Sequence, residues 1–223
     1  MKESAASSRD GAARWLAIHD ELLGGLTHAL SNRIATISAV AHMIELAHQS
    51  DERATHMLRV ETDQLENLLQ LLRLLPRRDR CEAEPIMASD AARSAIALHT
   101  FYPTLREIAC ELIVDDNLAP AWADPSALQH AIVVALNVAK RATGGVGATR
   151  VHICSTPDTV RVDVVRTHTD SVVGTGETPG ETALDINAAQ WLLNACHGRA
   201  LAIEHGCRIE ILSLASQRAS RQR

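Results

Sequence analysis

Aromatic side chains are scarce in this sequence: one Phe, one Tyr and three Trp stand among 223 residues, although 46% of the chain is apolar. The core must be filled by aliphatic side chains and alanine, which suits helices and thin α/β layers. No run approaches the roughly 18 consecutive apolar residues of a membrane-spanning helix. The N-terminal MKESAASSRDGAAR lacks the hydrophobic region of a signal peptide, so a cytoplasmic protein without a membrane partner is expected. A net charge of −5 leaves no electrostatic case for nucleic acid. The basic run from Arg218 to Arg223 reads as a short solvated tail. Cysteines Cys81, Cys110, Cys154, Cys196 and Cys207 are odd in number and scattered, without CxxC spacing, and read as small buried residues in a reducing compartment.

What is present is a long amphipathic beginning. From about Ala12 to Ala47, apolar residues at 23, 26, 30, 34, 37, 41 and 44 alternate steps of three and four, the period of a helical bundle. The polar HQSDER interrupts it, with Ser50 placed to cap a second helix. That helix carries Met57, Leu58, Leu65, Leu68, Leu72 and Leu75 on its apolar side and ends at Pro76 and RRDR. Two antiparallel helices cannot bury such stripes alone, so two hairpins are expected to pair into a dimeric four-helix bundle. Packing of the hairpin on its own C-terminal domain is the alternative.

From Glu82 the pattern becomes α+β. A short strand around Pro85 to Met87, a helix from near Ser89 and a strand at CELIV are followed by a helix over Pro125 to Ala142. Two strands, ATRVHICS and DTVRVDVV, join at a Pro-Asp turn. A Gly/Thr/Pro-rich loop over 167–180 leads to a helix near Ala183 to Cys196, and ALAIEH and RIEILSL close the domain as a hairpin. The division expected is 12–76 for the hairpin and 82–215 for the second domain.

Within the first helix, LTHALSNRIATI sets His28 beside the stripe of Leu26, Leu30, Ile34 and Ile37, where a helix offers an imidazole to solvent while burying its back. The stretch resembles the phosphoacceptor box of two-component sensor histidine kinases, and the elements after Glu82 resemble their Bergerat-type ATP-binding α/β sandwich. The departures are specific. Ala29 replaces the acid that follows the histidine. LQHAIVVALNVAKRA aligns with the helix that holds Mg²⁺ through asparagines, but with Val134 and Val138 at those places, and a valine offers a cation no oxygen. Asn137 is one residue off, about 100° around the helix, and should face elsewhere. Arg166 stands for the aspartate that accepts from adenine and His168 for the first glycine after it. Ala183 and Asp185 replace the glycines that admit phosphates to helix amides, where an aspartate would repel them. Gly174 and Gly176 in the Thr-rich loop do not restore a phosphate site.

The chain as a whole resembles histidine phosphotransferases of the ChpT kind, with a hairpin dimer and a vestigial ATP-binding domain. That resemblance implies no ATP, no cofactor and no metal. It implies His28 as phosphoacceptor, with receiver domains of response regulators and an upstream hybrid histidine kinase as partners. A neutral imidazole attacks a phosphoryl group in line, and a phosphorylated receiver brings its own metal and acid, so such a site needs only a placed nucleophile. The docking surface implied is the flank of Ser31, Asn32, Arg33 and Ala35, with Asn32, one turn beyond His28, as an orienting residue. Gly24 and Gly25, poor helix residues, either admit a partner's loop or mark a kink. His42 is the second candidate acceptor. The chain has no His pair at i, i+4 spacing to hold a metal. A divergent active kinase, a non-catalytic adaptor and, more distantly, an anti-sigma kinase remain as other readings.

Overall fold

The computed structural model describes residues 2–47, 52–73, 82–103, 108–143, 147–167 and 179–221. It is α+β: a long helical hairpin is followed by a layer of helices on one face of a five-stranded sheet. The hairpin consists of α1 (Lys2–Ala47) and α2 (Glu52–Arg73). Then come β1 (Glu84–Ile86), α3 (Ala88–His99), β2 (Ala109–Val114), β3 (Ala121–Ala123), α4 (Pro125–Arg141), β4 (Ala148–Ser155), β5 (Thr159–Thr167) and α5 (Pro179–Leu193). A 3-10 turn, Asn194–Cys196, leads to β6 (Arg199–Ile203), β7 (Gly206–Leu212) and α6 (Leu214–Arg221). The main sheet has the order β2-β4-β5-β7-β6, parallel only between β2 and β4, and β1 pairs with β3 in a small antiparallel sheet.

Alternation decides the strands. Val151 and Ile153 on β4, Val160, Val162 and Val164 on β5, and Ile209 and Ile211 on β7 are buried, while Arg150, His152, Asp163 and Arg208 line the opposite face. The Pro-Asp turn is closed by Thr156 N–H donating to the Thr159 carbonyl at 2.8 Å. Asp124 Oδ1 accepts from the backbone of Ser126 and Ala127 at 2.9 and 3.2 Å, and Pro125 follows in the first turn, so α4 starts there. Every residue of α4 from Ala127 to Lys140 is buried, because sheet and neighbouring helices enclose it. Cys196 and Cys207 are buried and Cys110 and Cys154 half-buried, all as free thiols, and burial pushes Cys207 up to about 12.

Three features depart from the sequence reading. β3 is only three residues long and was not among the expected strands. The basic run from Arg218 is helical as far as Arg221, because Ser213 Oγ accepts from Ser216 N–H at 3.1 Å and starts α6. The largest departure is α1, which begins at Lys2 rather than near Ala12, and whose first half packs on the α/β domain, chiefly along α5. The positions it buries there are Gly11, Trp15, Ile18, Leu22 and Leu26. Of the expected stripe only Leu26 is buried within the chain, while Leu23 and Ile34 are exposed. For this half the alternative of packing on the chain's own domain holds. Between α1 and α2 the contact is closed by Val40, Ala54 and Leu68 and by an Arg33–Glu61 ion pair of 2.9 and 3.1 Å. Ser50, Leu75, Pro76, RRDR, Cys81, His168, Gly174 and Gly176 lie outside the described residues.

Candidate functional site

His28 is exposed on α1, just beyond the part that the domain covers. Asn32 stands one turn on, its amide nitrogen 3.2 Å from His28 Nε2. An amide nitrogen only donates, so in this orientation Nε2 is the acceptor of the pair. One turn before His28, Gly24 is open, with nothing within 4 Å of the place a Cβ would take. Ala35 is exposed as well, and Ser31 is exposed with its hydroxyl donated to the Thr27 carbonyl at 2.9 Å. Thr27 and Thr36 bond back to Leu23 and Asn32 in the same way, at 2.7 and 3.0 Å. These hydroxyls are spent on the helix, and the strip from Gly24 to Ala35 presents small, smooth side chains around one imidazole. His42 is also exposed and lies 3.7 Å from Glu45.

Ala29 and Arg33 turn to the other side. With Gln64, Leu68 and Leu71 of α2 and with Phe101, which follows α3, they line a groove of about 260 Å³. An acid in place of Ala29 would point into this groove, among Arg33, Gln64 and Asn67 as well as the apolar Leu68, Leu71 and Phe101. Arg33 is held there by Glu61 and so stands apart from the His28 strip. Phe101 reaches the hairpin because Gly25 lets it: a Cβ at Gly25 would overlap the Phe101 carbonyl oxygen. Gly25 is thus used by the chain's own domain, and Gly24 alone is open to a partner.

Of the positions aligned with a nucleotide site, Val134, Val138 and Asp185 are buried and Ala183 is not. Val134 and Val138 are 0% and 3% exposed, in the core. Asn137 faces away from them, its Oδ1 2.6 Å from His99 Nε2, and Lys140 Nζ lies 3.4 Å from His99 Nδ1. Burial foremost, and then the charge of Lys140, lowers the His99 pKa to about 3. Arg166 donates to the Ala142 carbonyl at 2.7 Å and lies 3.3 Å from His205 Nε2, tying β5 to the end of α4 and to the β6–β7 turn. Ala183 is exposed. Asp185 is 0% exposed and sits between Arg14 of α1, at 2.5 Å, and Arg141 of α4, at 2.6 Å. Burial pushes its carboxyl up and the two arginines oppose the shift. The aspartate that looked only like a lost glycine is the centre of an ion triad between three helices. Sequence reasoning had no signal for it, since Arg14 and Asp185 are 171 residues apart. Among the described residues no three His, Cys, Asp or Glu side chains form a metal-holding group, and no helix is long and apolar enough to cross a membrane.

No protein-family model and no curated protein matches the chain. Among solved structures, a histidine kinase from Burkholderia phymatum is 12% identical, with a TM-score of 0.46 over 93% of this chain and 97% of that one. The histidine kinase ThkA, in complex with the response regulator protein TrrA, is 18% identical at a TM-score of 0.46, over 96% and 67%. The Acinetobacter baumannii histidine kinase AdeS is 14% identical at a TM-score of 0.44, over 84% and 98%. All three scores are below 0.5, so the functional reading rests on the geometry of this chain.

Proposed function

We propose that the chain is a histidine phosphotransferase of a two-component phosphorelay, of the ChpT kind, which moves a phosphoryl group between receiver-domain aspartates without binding ATP. The observation that carries the reading is the pairing of an exposed, Asn32-supported His28 with a domain whose nucleotide positions are filled by Val134, Val138, Arg166 and the Arg14–Asp185–Arg141 triad. Nε2 of His28 attacks the phosphorus of an aspartyl phosphate. The N–P bond forms, the acyl P–O bond breaks, and its electron pair returns to the receiver's carboxylate. The second transfer reverses this onto another receiver. Asn32 holds the ring until a receiver docks and then swings aside to a phosphoryl oxygen. Receivers dock on the strip of Gly24, Ser31, Asn32 and Ala35, and a hybrid histidine kinase stands upstream.

A second copy of the chain covers the apolar side chains that the hairpin leaves exposed, among them Ile34, Met43, Met57, Val60 and Leu69. Sedimentation is expected to give a dimer at micromolar concentration, and a monomer there removes this part of the reading.

The functional test is transfer from labelled phospho-receivers. Wild type accepts an acid-labile label, His28→Gln accepts none while staying folded, and His42→Gln behaves as wild type. Acceptance by His28→Gln at the wild-type level puts a non-catalytic adaptor in its place. Millimolar Mg-ATP is expected to leave the melting temperature unchanged, because only a ligand of the native state raises it. A clear rise revives the kinase reading.

A further inference from the structure

Two small residues one turn apart on α1 open a space where the hairpin meets the domain. Gly25 lets the Phe101 carbonyl come up against the helix, and Ala29 leaves the next turn short of side chain. The groove of about 260 Å³ stands between them, Phe101 and α2. An engineered apolar cavity of about 150 Å³ takes up a benzene ring, so this groove has room for a second ring fused to the first. Its apolar walls are Leu68 and Leu71 of α2 and Phe101, the only Phe of the chain.

The polar groups restrict what can enter. Arg33 donates through Nη1 to both carboxylate oxygens of Glu61, at 3.1 and 2.9 Å, so its charge is met and the groove calls for no anion. A cation would be repelled by Arg33 itself. Gln64, which lines the groove, holds its amide oxygen Oε1 out of water with no hydrogen-bond partner. A buried acceptor left unpaired is unfavourable, and a donor that reaches it recovers the loss. Rotation about the last side-chain bond breaks no hydrogen bond of Oε1 while it brings that oxygen to a donor in the groove. Water alone meets Gln64 but leaves Leu68, Leu71 and Phe101 wet, whereas a flat ring system with one N–H serves both.

We propose that this groove is a binding site for a neutral two-ring aromatic molecule with one N–H at its edge, of the indole class. The rings lie between Phe101, Leu68 and Leu71, and the N–H is donated to Gln64 Oε1. Such a ligand touches α1, α2 and the segment after α3 at once, and so ties the hairpin to the domain. It sits on the side of α1 that Ala29 and Arg33 face, apart from the His28 strip, and the site stands whether or not His28 accepts phosphate.

Calorimetry on the full chain with indole, and with benzothiophene as the analogue that lacks the N–H, tests the site. Indole is expected to bind with a Kd below about 1 mM, and about tenfold more tightly than benzothiophene. Gln64→Leu is expected to melt no lower than wild type, because the unpaired oxygen is gone, and to lose the preference for indole. Ala29→Leu fills the groove and should bind neither compound. His28→Gln should bind indole as wild type does, so the failure of this site and the failure of the phosphotransfer reading are told apart. No saturable binding of indole below about 1 mM leaves the groove to water and overturns the proposal. Equal affinities overturn it too, since no N–H is then recognised, and binding that survives Ala29→Leu puts the ligand elsewhere. A Gln64→Leu chain that still prefers indole overturns it even if Ala29→Leu does not fold.

Discussion

One helix, α1, lives in two environments. Between Gly11 and Leu26 it buries Trp15, Ile18 and Leu22 on the domain and pairs Arg14 with the buried Asp185. Beyond Thr27, Val40 alone is buried among the described side chains of α1, and Ile34 and Met43 are 50% and 63% exposed. The heptad-like spacing continues through both halves, so the difference comes from what each half faces. The first half is finished within the chain. The second still carries an apolar surface, and it carries His28. The proposed phosphotransfer would use that division: one part rigid enough to place a nucleophile, the other open to partners.

The comparison is broken most directly by shortening one aliphatic side chain in each half. Ile18→Ala, at 0% exposure, is expected to cost about 2–5 kcal/mol by lost transfer energy and the cavity left behind. Ile34→Ala, half exposed, should cost under about 1 kcal/mol and weaken the dimer instead. Denaturant titration at two protein concentrations reads both effects. Equal losses of stability, independent of concentration, would erase the distinction between the halves.

How far the sequence disclosed this follows from the range of each interaction. The strands of VHICS and VRVDVV were legible because alternation is local, and α4 because its apolar run starts at Pro125 and stops before Gly144 and Gly145. His28 and Asn32 were legible as neighbours because i, i+4 geometry is fixed by the helix itself. The packing of the first half of α1 on the domain was not legible. Periodicity reports that an apolar stripe exists, but which stripe meets a partner depends on segments more than a hundred residues away. Gly25 read as a poor helix residue until Phe101 was seen against it, and Gly11, which meets Asn187, was not singled out. Asp185 looked like a missing glycine, because a charged residue in sequence carries no mark of its distant arginines. β3, as short as β1, was not read from the sequence.

The covered half rests on a layer whose polar groups are out of water, and acid should expose that difference. The His99 pKa in the fold is about 3, against an ordinary 6.5, so the unfolded chain takes the proton first as pH falls. The stabilising contribution is therefore full above pH 6.5 and is lost between there and pH 3. The slope approaches about 1.4 kcal/mol per pH unit. His99→Gln should flatten it in chemical unfolding between pH 6.5 and 4.5. A wild-type slope that the variant reproduces would assign the acid sensitivity to other groups.

Two adjacent glycines sharpen the boundary between the halves. Gly25→Ala drives a methyl group into the Phe101 carbonyl and must separate α1 from the domain, at a cost of about 1–3 kcal/mol. Thermal melts should show the loss, and faster amide exchange in α1 should accompany it. An alanine accepted there without loss would mean that the two elements are not in tight contact.

The smallest effect is expected one residue earlier, and it has the opposite sign. Gly24 has the same intrinsic cost in a helix, but a Cβ there meets nothing within 4 Å. Gly24→Ala should therefore raise stability by about 0.5–1 kcal/mol, since alanine loses less backbone freedom on folding. A glycine that weakens a helix without any contact of its own to permit is explained if a partner's backbone comes close there, one turn from His28. On that account Gly24→Ala melts at a higher temperature, reacts with phosphoramidate as wild type does, and accepts phosphate from a receiver less efficiently. Higher stability with undiminished receiver transfer would show that no partner approaches this turn, and would move the docking surface along α1 toward Asn32 and Ala35.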